Sequence, residues 1–462
     1  MTTGRERLVV AVAVIAALAS SIAWRGWVVD DAWIPARYAA SLATGHGYRF
    51  DASLPSSDGV TPLPWAPLLV VVSAGGDVAR AVTAARIVGV VSWALTAALL
   101  SLATVRAGGR AVRFAPLAIG LLSAPLGAWS VGGLETPLVT LLAAASVVAG
   151  PARSALCASC AGLVAAFRPE ALPFALVLGA WGGEAGGRRG RFAHATIAFV
   201  PWAIVVAIRL ACFGLPYPLS ALAKQSDLPH GLIYVAGFLV FGGVPVLVLS
   251  RALADAPRAR WLVAASMVHA ASVAIAGGDW MPMSRLMTPV IPALVLAAVD
   301  VAERAPIGWT RARLVIAALA IAVPWVRLRA EASGVWATRK ELIVEGRAAL
   351  APYKAVAALD VGWVGEATDA RVVDLAGLTD RAFASLPGGH TSKRVPATLL
   401  DARGVDALVF LRRAGTPRRD DGGPFDRQVE ERIAALPWVS EGFSPAATIR
   451  AGALEYVVLA RR

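Results

Sequence analysis

Charged residues are scarce in this sequence. They make up 16% of its 462 residues, whereas 57% are hydrophobic, and the mean hydropathy is +0.64. A typical soluble domain carries about a quarter charged residues. Long apolar stretches recur from Leu8 to Val326 and then stop. The sequence therefore predicts a membrane domain followed by a water-soluble C-terminal domain.

Cysteine and lysine are also rare. The three cysteines, Cys157, Cys160 and Cys212, all lie in apolar segments, so no disulfide framework is expected. Cys157 and Cys160 have C-x-x-C spacing, but a zinc or redox site needs polar neighbours, and we interpret them as two small residues on one helix face. The net charge of +13 comes mostly from arginines spread over short loops. This distribution argues against a nucleic-acid-binding face.

Arginine clusters alternate along the chain with loops that hold most of the acidic residues. Such clusters mark the cytoplasmic side of a membrane protein. We therefore predict a multi-pass plasma (inner) membrane protein with a cytoplasmic N-terminus and an extracytoplasmic C-terminal domain. Residues 1–20 have features of a signal peptide, but the apolar run continues to Val29, so we predict an uncleaved first span. The clusters comprise Arg5, Arg7, Arg106, Arg110, Arg113, Arg153, Arg188, Arg189, Arg191, Arg251, Arg258, Arg260, Arg304, Arg311 and Arg313.

The apolar stretches predict about eleven spans. Segments 154–167 and 171–182 are short for a hydrocarbon core that needs ~20 residues. If they form a re-entrant hairpin instead, nine spans remain and the sidedness is unchanged. Residues 62–73 are predicted to lie at the outer surface. The spans are 8–29, 81–105, 112–129, 134–150, 154–167, 171–182, 193–212, 231–250, 261–276, 285–302 and 313–328.

The predicted fold is mainly α-helical. Residues 1–329 form a transmembrane bundle, in which 30–80 make up the first outer loop, and residues 330–462 form a small α/β domain. Short apolar runs in this C-terminal domain predict strands, and two polar stretches predict helices. The strands are 355–359, 371–375, 407–411 and 456–459, and the helices are 395–403 and 427–436.

Two adjacent carboxylates, Asp30 and Asp31, open the first outer loop. They repel each other, so a nearby arginine, a bound cation or a shared proton must compensate them. An alternative is that Asp31 only caps a helix over residues 32–40. We favour a functional role, because polar groups recur at membrane level in other outer loops, where they are costly and usually functional.

Four such motifs follow the Asp30–Asp31 pair on the same predicted side. Each also has a structural interpretation: a helix start, a self-neutralising ion pair, a snorkelling lysine, or an aromatic anchor with an ion pair. The motifs are Ser130–Pro137 with Glu135, Phe167–Glu170 with Arg168 and Glu170, Phe213–Pro218 followed by Lys224, and Gly277–Arg285 with Asp279, Trp280 and Arg285.

Taken in order, these motifs resemble a family of bacterial GT-C-type membrane glycosyltransferases that includes the mycobacterial terminal β-(1→2)-arabinofuranosyltransferase. The resemblance covers about residues 24 to 380. The chain departs from the family pattern at Asp51, at Tyr217 and within Thr61–Trp65. The motifs that carry it are Asp30–Ala39, Gly45–Phe50, Gly133–Pro137, Arg168–Glu170, Leu215–Lys224, Gly277–Arg285, Asp360–Gly362 and Val373–Asp380.

The resemblance implies an inverting transfer of a sugar, with arabinofuranose as a candidate, from a polyprenyl-phosphate donor. The acceptor would be an envelope glycan or lipid on the outer face. Asp30 or Asp31 would act as general base, and Glu135 would orient the acceptor or share that role. No cofactor is required, although the aspartate pair offers ligands for a divalent cation.

The remaining polar residues receive supporting roles in this hypothesis. Cations would hold the donor phosphate, and Arg37 would either do so or neutralise the aspartate pair. A flippase for a polar lipid-linked sugar and a non-catalytic scaffold for envelope assembly are the alternative functions. The candidate donor ligands are Arg37, Arg168, Lys224 and Arg285, and the candidate acceptor or supporting residues are His46, Glu170, Asp279 and Trp280.

Overall fold

A computed structural model describes residues 4–109, 115–224, 226–413 and 424–462. Arg110, Arg113 and the start of the predicted span 112–129 lie outside these residues. The chain divides into two compact units. The first comprises Met1–Trp27, Ala85–Ile208 and Ser226–Ser333, and the second comprises Val28–Ala84, Arg209–Gln225 and Gly334–Arg462.

Helices dominate the chain up to residue 350, and strands occur only after it within the described residues. In chain order the elements are α1 (Gly4–Ala23), α2 (Trp33–Ala43), α3 (Trp65–Val72), α4 (Val78–Ala107), α5 (Ala115–Val131), α6 (Thr136–Ala149), α7 (Ser154–Phe167), α8 (Leu172–Gly182), α9 (Gly187–Phe213), α10 (Leu219–Ala223), α11 (Leu228–Phe241), α12 (Val244–Leu247), α13 (Pro257–Ile275), α14 (Ile291–Arg304), α15 (Ile307–Leu350), β1 (Ala355–Ala358), α16 (Val361–Ala367), β2 (Arg371–Asp374), α17 (Arg381–Ala384), α18 (Ala397–Ala402), β3 (Ala407–Arg413), α19 (Gln428–Ala434), α20 (Pro437–Gly442), β4 (Phe443–Ala451) and β5 (Leu454–Arg461).

Four helical segments in the described chain are long and apolar enough to cross a membrane. A fifth is counted if α6 and α7, which are bent by 96°, form one broken span. A helix occupies each predicted span, but the count of eleven is not confirmed. The 14-residue helices α6 and α7 extend only about 21 Å at ~1.5 Å per residue, less than the ~30 Å of a hydrocarbon core. The four segments are Gly4–Ala23, Val78–Ala107, Glu184–Phe213 and Arg285–Arg304.

Short helices separated by prolines build the core of the first unit. Helix α7 packs against both α6 and α8, and α13 packs against both α8 and α14. Proline stands in the first turn of α6, α8, α13 and α14, where its missing N–H leaves no bond unmade. The motif residues Glu135 and Glu170 lie in the turns directly before α6 and α8.

The second unit contains a five-stranded sheet in the order β2-β1-β3-β5-β4. Strand β1 is parallel to β2 and β3, whereas β5 is antiparallel to β3 and β4. The four predicted strands and both predicted helices of the C-terminal domain are confirmed. Strand β4 was not predicted, because it is an edge strand interrupted at Pro445 by a register shift, and edge strands tolerate such irregular, polar sequences.

Residues of the first outer loop belong to the same unit as the sheet. Helix α16 packs against α2 and against the 3-10 turn Asp30–Ala32, and the rings of Trp33 and Trp336 stack with centroids 5.6 Å apart. The predicted surface segment 62–73 contains helix α3. The unit boundary at Ser333 lies close to the predicted boundary at residue 329.

Candidate functional site

Asp30 binds the first turn of helix α16 within the second unit. Its two carboxylate oxygens accept hydrogen bonds of 3.0 Å from the backbone N–H groups of Gly362 and Trp363, and Arg339 Nε lies 3.8 Å away. A Cβ atom at Gly362 would come within 2.2 Å of the Asp30 carbonyl oxygen. Glycine at 362 therefore lets Asp30 approach the helix N-terminus, where a carboxylate is stabilised by unpaired N–H groups and the helix dipole.

An ionic network of half-buried charged side chains continues from Asp30 into the sheet. Arg427 Nη2 donates to both carboxylate oxygens of Asp360, at 3.0 and 2.8 Å, and the Tyr456 hydroxyl also donates to Asp360. Burial raises the pKa of Asp30 to about 6, although Arg339 opposes that shift. Burial acts the same way on Asp360, but the guanidinium groups of Arg427 and Arg339 hold the pKa of Asp360 below its usual value.

Asp31 differs from its neighbour. Its side chain is half-buried, and it makes no hydrogen bond or ion pair with any residue that the structure describes. The alternative that Asp31 caps a helix is wrong, because α2 begins at Trp33 with Ala32 at the N-cap and without a side-chain cap. The two adjacent aspartates are therefore distinct: one is committed to α16, and the other is available.

Arg37 stabilises the loop that follows α2. Its Nε donates to the Phe50 carbonyl at 2.9 Å, its guanidinium lies 5.1 Å from the Phe50 ring centroid, and Nη2 is 3.6 Å from Asp51. It also donates to the Gly365 carbonyl of α16. These contacts occupy most of its N–H donors, so the arginine is built into the loop rather than paired with Asp30 or Asp31.

Two further predicted residues lie in the second unit. His46 is exposed, and its Nδ1 lies 2.8 Å from the Thr44 hydroxyl in the same loop. Lys224 is half-buried at the C-cap of α10 and has no ion pair with any described carboxylate. Among the described residues Lys224 is thus a cation without a carboxylate partner, as binding of an anionic ligand would require.

The first unit brings together the charges of two motifs in its core. The guanidinium of Arg168 forms an ion pair with Glu135 and lies 3.8 Å from Glu170 and 3.4 Å from the Thr136 hydroxyl. Arg168 and Glu135 are both buried. Breaking such a pair leaves an uncompensated buried charge, so each partner fixes the other.

A strained turn presents the third charged motif of this unit. Arg285 Nε donates to Asp279 at 2.8 Å, and its guanidinium lies 5.7 Å from the Trp129 ring centroid. Met283 and Ser284, between them, adopt φ values of 62° and 46°, a left-handed conformation that is uncommon for non-glycine residues. Trp280 is 65% exposed.

Residues that the sequence did not single out complete this region. The Tyr234 hydroxyl accepts a hydrogen bond of 2.9 Å from the backbone N–H of Leu286, and Tyr234 lies within electrostatic reach of Asp279, Arg285 and Arg168. The ring of His230, one helical turn away, stacks on Trp280 with centroids 4.1 Å apart. The spacing of His230 and Tyr234 on α11 was the only sequence signal for this pair.

An apolar cavity of about 370 Å³ lies beside the same turn. One cation, Arg327, is among its lining residues, and the rest are mostly aliphatic or aromatic. Its lining suits an apolar ligand. The lining includes Tyr234, Phe238, Phe241, Met283, Val323 and Leu328.

The whole chain matches known structures in fold. A crystal structure of ArnT from Cupriavidus metallidurans bound to undecaprenyl phosphate superimposes with a TM-score of 0.56 at 18% identity, over 99% of this chain and 98% of ArnT. The fold is similar to that of ArnT. The apo ArnT structure gives a TM-score of 0.52 at 14% identity, over 98% and 97% of the two chains.

Sequence comparison adds less. A family model described as a domain of unknown function (DUF8728) matches residues 332–458, and no curated protein matches the chain. The ArnT-like architecture confirms the predicted fold class, a helical bundle with a small C-terminal sheet. The predicted likeness to an arabinofuranosyltransferase stays a prediction.

Proposed function

We propose that this protein is an inverting membrane glycosyltransferase that uses a polyprenyl-phosphate-linked sugar as its donor. The observation that carries the proposal is the full-length similarity in fold to ArnT, which has been crystallised with undecaprenyl phosphate. The acceptor is an envelope glycan or lipid on the outer face of the plasma membrane. Arabinofuranose is the candidate sugar, from the resemblance in the motifs.

Asp31 is the proposed general base. It is half-buried and has no partner among the described residues, whereas Asp30 is engaged by two N–H groups. In the reaction, the acceptor hydroxyl oxygen forms a bond to the anomeric carbon while the bond from that carbon to the phosphate oxygen breaks. The hydroxyl proton passes to Asp31, and the electron pair leaves with the lipid phosphate.

Lys224 is the proposed ligand of the donor phosphate, because a free ammonium group compensates the charge that develops on the departing phosphate. The first unit contains the apolar cavity lined by Tyr234 and Met283, which suits an apolar ligand. In the same unit, the ion pairs of Arg168 and Arg285 hold Glu135, Glu170 and Asp279 in fixed orientations. No step requires a metal ion, although a divalent cation at Asp30 and Asp31 stays an alternative.

The purified full-length protein, incubated with a panel of polyprenyl-phosphate sugars and an envelope glycan, tests the proposal. We expect one donor to release free polyprenyl phosphate and to transfer its sugar to the glycan. A donor at a hundred times its dissociation constant should also stabilise the protein by about 2.7 kcal/mol. Movement of the lipid across a vesicle bilayer without cleavage of the sugar–phosphate bond would instead favour a flippase and contradict the proposal.

A further inference from the structure

A second cavity, of about 290 Å³, lies entirely within the second unit. Four chain segments surround it: residues Leu54–Asp58 of the first outer loop, the Phe213–Leu219 segment, the start of α17 at Thr379–Ala382, and Arg403 at the end of α18. Its volume is near the lower end of the ~300–1,000 Å³ of small-molecule sites, so it suits a ligand of one or two rings. The residues relevant below are Asp58, Tyr217, Asp380, Arg381 and Arg403.

Two ion pairs hold the acidic side chains that line this cavity. Arg403 donates to both oxygens of Asp380, at 2.9 and 3.1 Å, a two-point geometry that holds both side chains rigidly. Arg209 Nε donates to Asp58 at 2.6 Å. Asp58 is 2% exposed, and burial raises its pKa to about 6, although Arg209 opposes the shift. These carboxylates are therefore oriented before any ligand arrives.

Two other lining side chains are not used by the fold. Tyr217 is 42% exposed, although it is a large aromatic residue. Arg381 is exposed, and it donates only one long hydrogen bond, of 3.4 Å, to the Phe213 carbonyl. No described carboxylate pairs with it. An aromatic ring and a guanidinium group thus face the same cavity with spare binding capacity.

We propose that this cavity binds a sugar residue of the acceptor glycan, an assignment that rests on the glycosyltransferase function proposed above. A sugar ring has an apolar C–H face, which packs on an aromatic ring such as Tyr217. Its hydroxyl groups both donate and accept, so they pair with the Asp380 carboxylate and with the free N–H groups of Arg381. The glycan chain would then be held at a point separate from the sugar that reacts.

Direct binding of soluble glycans to the purified full-length protein tests the proposal without requiring turnover. The probes are fluorescent arabinofuranose, galactofuranose and mannose oligosaccharides. We expect the wild type to bind one class, and Tyr217→Ala and Arg381→Ala each to weaken that binding roughly tenfold, the loss expected for one charged hydrogen bond or aromatic contact. Tyr217→Phe, which keeps the ring, and Arg394→Ala, which removes an exposed arginine elsewhere in the unit, serve as matched controls.

Three results would overturn the assignment: no probe binds, both alanine variants bind as the wild type does, or undecaprenyl phosphate displaces the bound glycan. Transfer assays separate this proposal from the proposed function. If the glycan binds at this cavity but no donor is cleaved, only the transferase function fails. If sugar is transferred and the acceptor KM is unchanged in Tyr217→Ala and Arg381→Ala, only the cavity assignment fails.

Discussion

The carboxylate of Asp30 accepts a hydrogen bond of 3.0 Å from the backbone N–H of Gly362, a residue 332 positions later in the chain. The same carboxylate bonds the N–H of Trp363, so it satisfies two donors that the N-terminus of α16 would otherwise leave unpaired. Asp31, its direct neighbour, has no described partner. Of these two identical side chains, Asp30 therefore has a structural role, whereas the carboxylate of Asp31 is available to a ligand.

This division predicts opposite phenotypes for the two isosteric variants. Asp31→Asn should lower the rate of sugar transfer by about 10²–10⁴-fold, the range for loss of a general base, and should leave the melting temperature nearly unchanged. Asp30→Asn should lower the melting temperature, because an amide cannot accept both backbone hydrogen bonds with a full negative charge. Initial rates and thermal unfolding of the same preparations measure both effects.

The control for this experiment is internal, since each variant serves as the comparison for the other. The assignment of Asp31 as the base would be wrong if Asp31→Asn transferred sugar at the wild-type rate. If Asp30→Asn were as stable as the wild type but transferred sugar much more slowly, Asp30 would be the general base instead.

The close approach at Gly362 predicts a strong effect of one added methyl group. In Gly362→Ala the new Cβ would lie 2.2 Å from the Asp30 carbonyl oxygen, so the turn before α2 and the start of α16 must separate. We expect a loss of unfolding free energy of about 1–3 kcal/mol, as for overpacked sites. The measurement is thermal or denaturant unfolding of the purified protein.

Gly334→Ala is a matched control for this substitution. Gly334 lies inside helix α15, and nothing lies within 4 Å of its added Cβ. Alanine is the better helix former, so this variant should be as stable as the wild type or more stable by up to ~1 kcal/mol. Equal stability of both glycine variants would contradict the role given to Gly362.

Local patterns were sufficient to predict much of the C-terminal domain. Strands β1, β2 and β3 are short apolar runs, and all were predicted because buried strands leave such runs in a sequence. Strand β4 was not predicted because its pattern is interrupted at Pro445, where the register with β5 shifts. The predicted count of eleven spans is not confirmed for a related reason, since helices such as α7 are apolar but shorter than the hydrocarbon core of a bilayer.

The candidate site was predictable only in part, because its decisive contacts link distant residues. The sequence indicated that Asp30 and Asp31 needed compensation. It gave no signal that Arg339, one arginine among many, would lie 3.8 Å from Asp30. The sequence also gave no reason for the glycine in the Asp360–Gly362 motif. In the folded chain, residue 362 lies so close to Asp30 that there is no space for a Cβ atom.

Glu430 predicts a pH dependence of stability. It is fully buried beside Arg427 and the backbone N–H of Leu411, and burial raises its pKa to about 8 from an ordinary value of 4.5. The folded state therefore holds this proton more tightly than the unfolded state. The contribution of protonated Glu430 to the stability of the folded state is fully present below pH 4.5, and it is lost as the pH rises through 8.

The melting temperature of the wild type should accordingly fall by on the order of a few °C between pH 6 and pH 9. Glu430→Gln mimics the protonated carboxyl and should flatten this slope. Glu441→Gln, at an exposed position, should retain it. Parallel slopes for wild type and Glu430→Gln would show that another group titrates.

Lys224 predicts a specific loss of donor affinity. Because this half-buried lysine has no carboxylate partner among the described residues, Lys224→Ala should cost little stability but remove a charge-assisted contact to the lipid phosphate. Such contacts contribute about 1.5–3 kcal/mol, so binding of undecaprenyl phosphate should weaken roughly ten- to a hundredfold.

Lys224→Arg keeps the charge and should recover part of the affinity, whereas the exposed Lys354→Ala should bind as the wild type does. Titrations followed by thermal shift at low and high salt provide the measurement, since added salt should narrow the difference between wild type and Lys224→Ala. Equal affinity of these two proteins at low salt would remove Lys224 from the donor site.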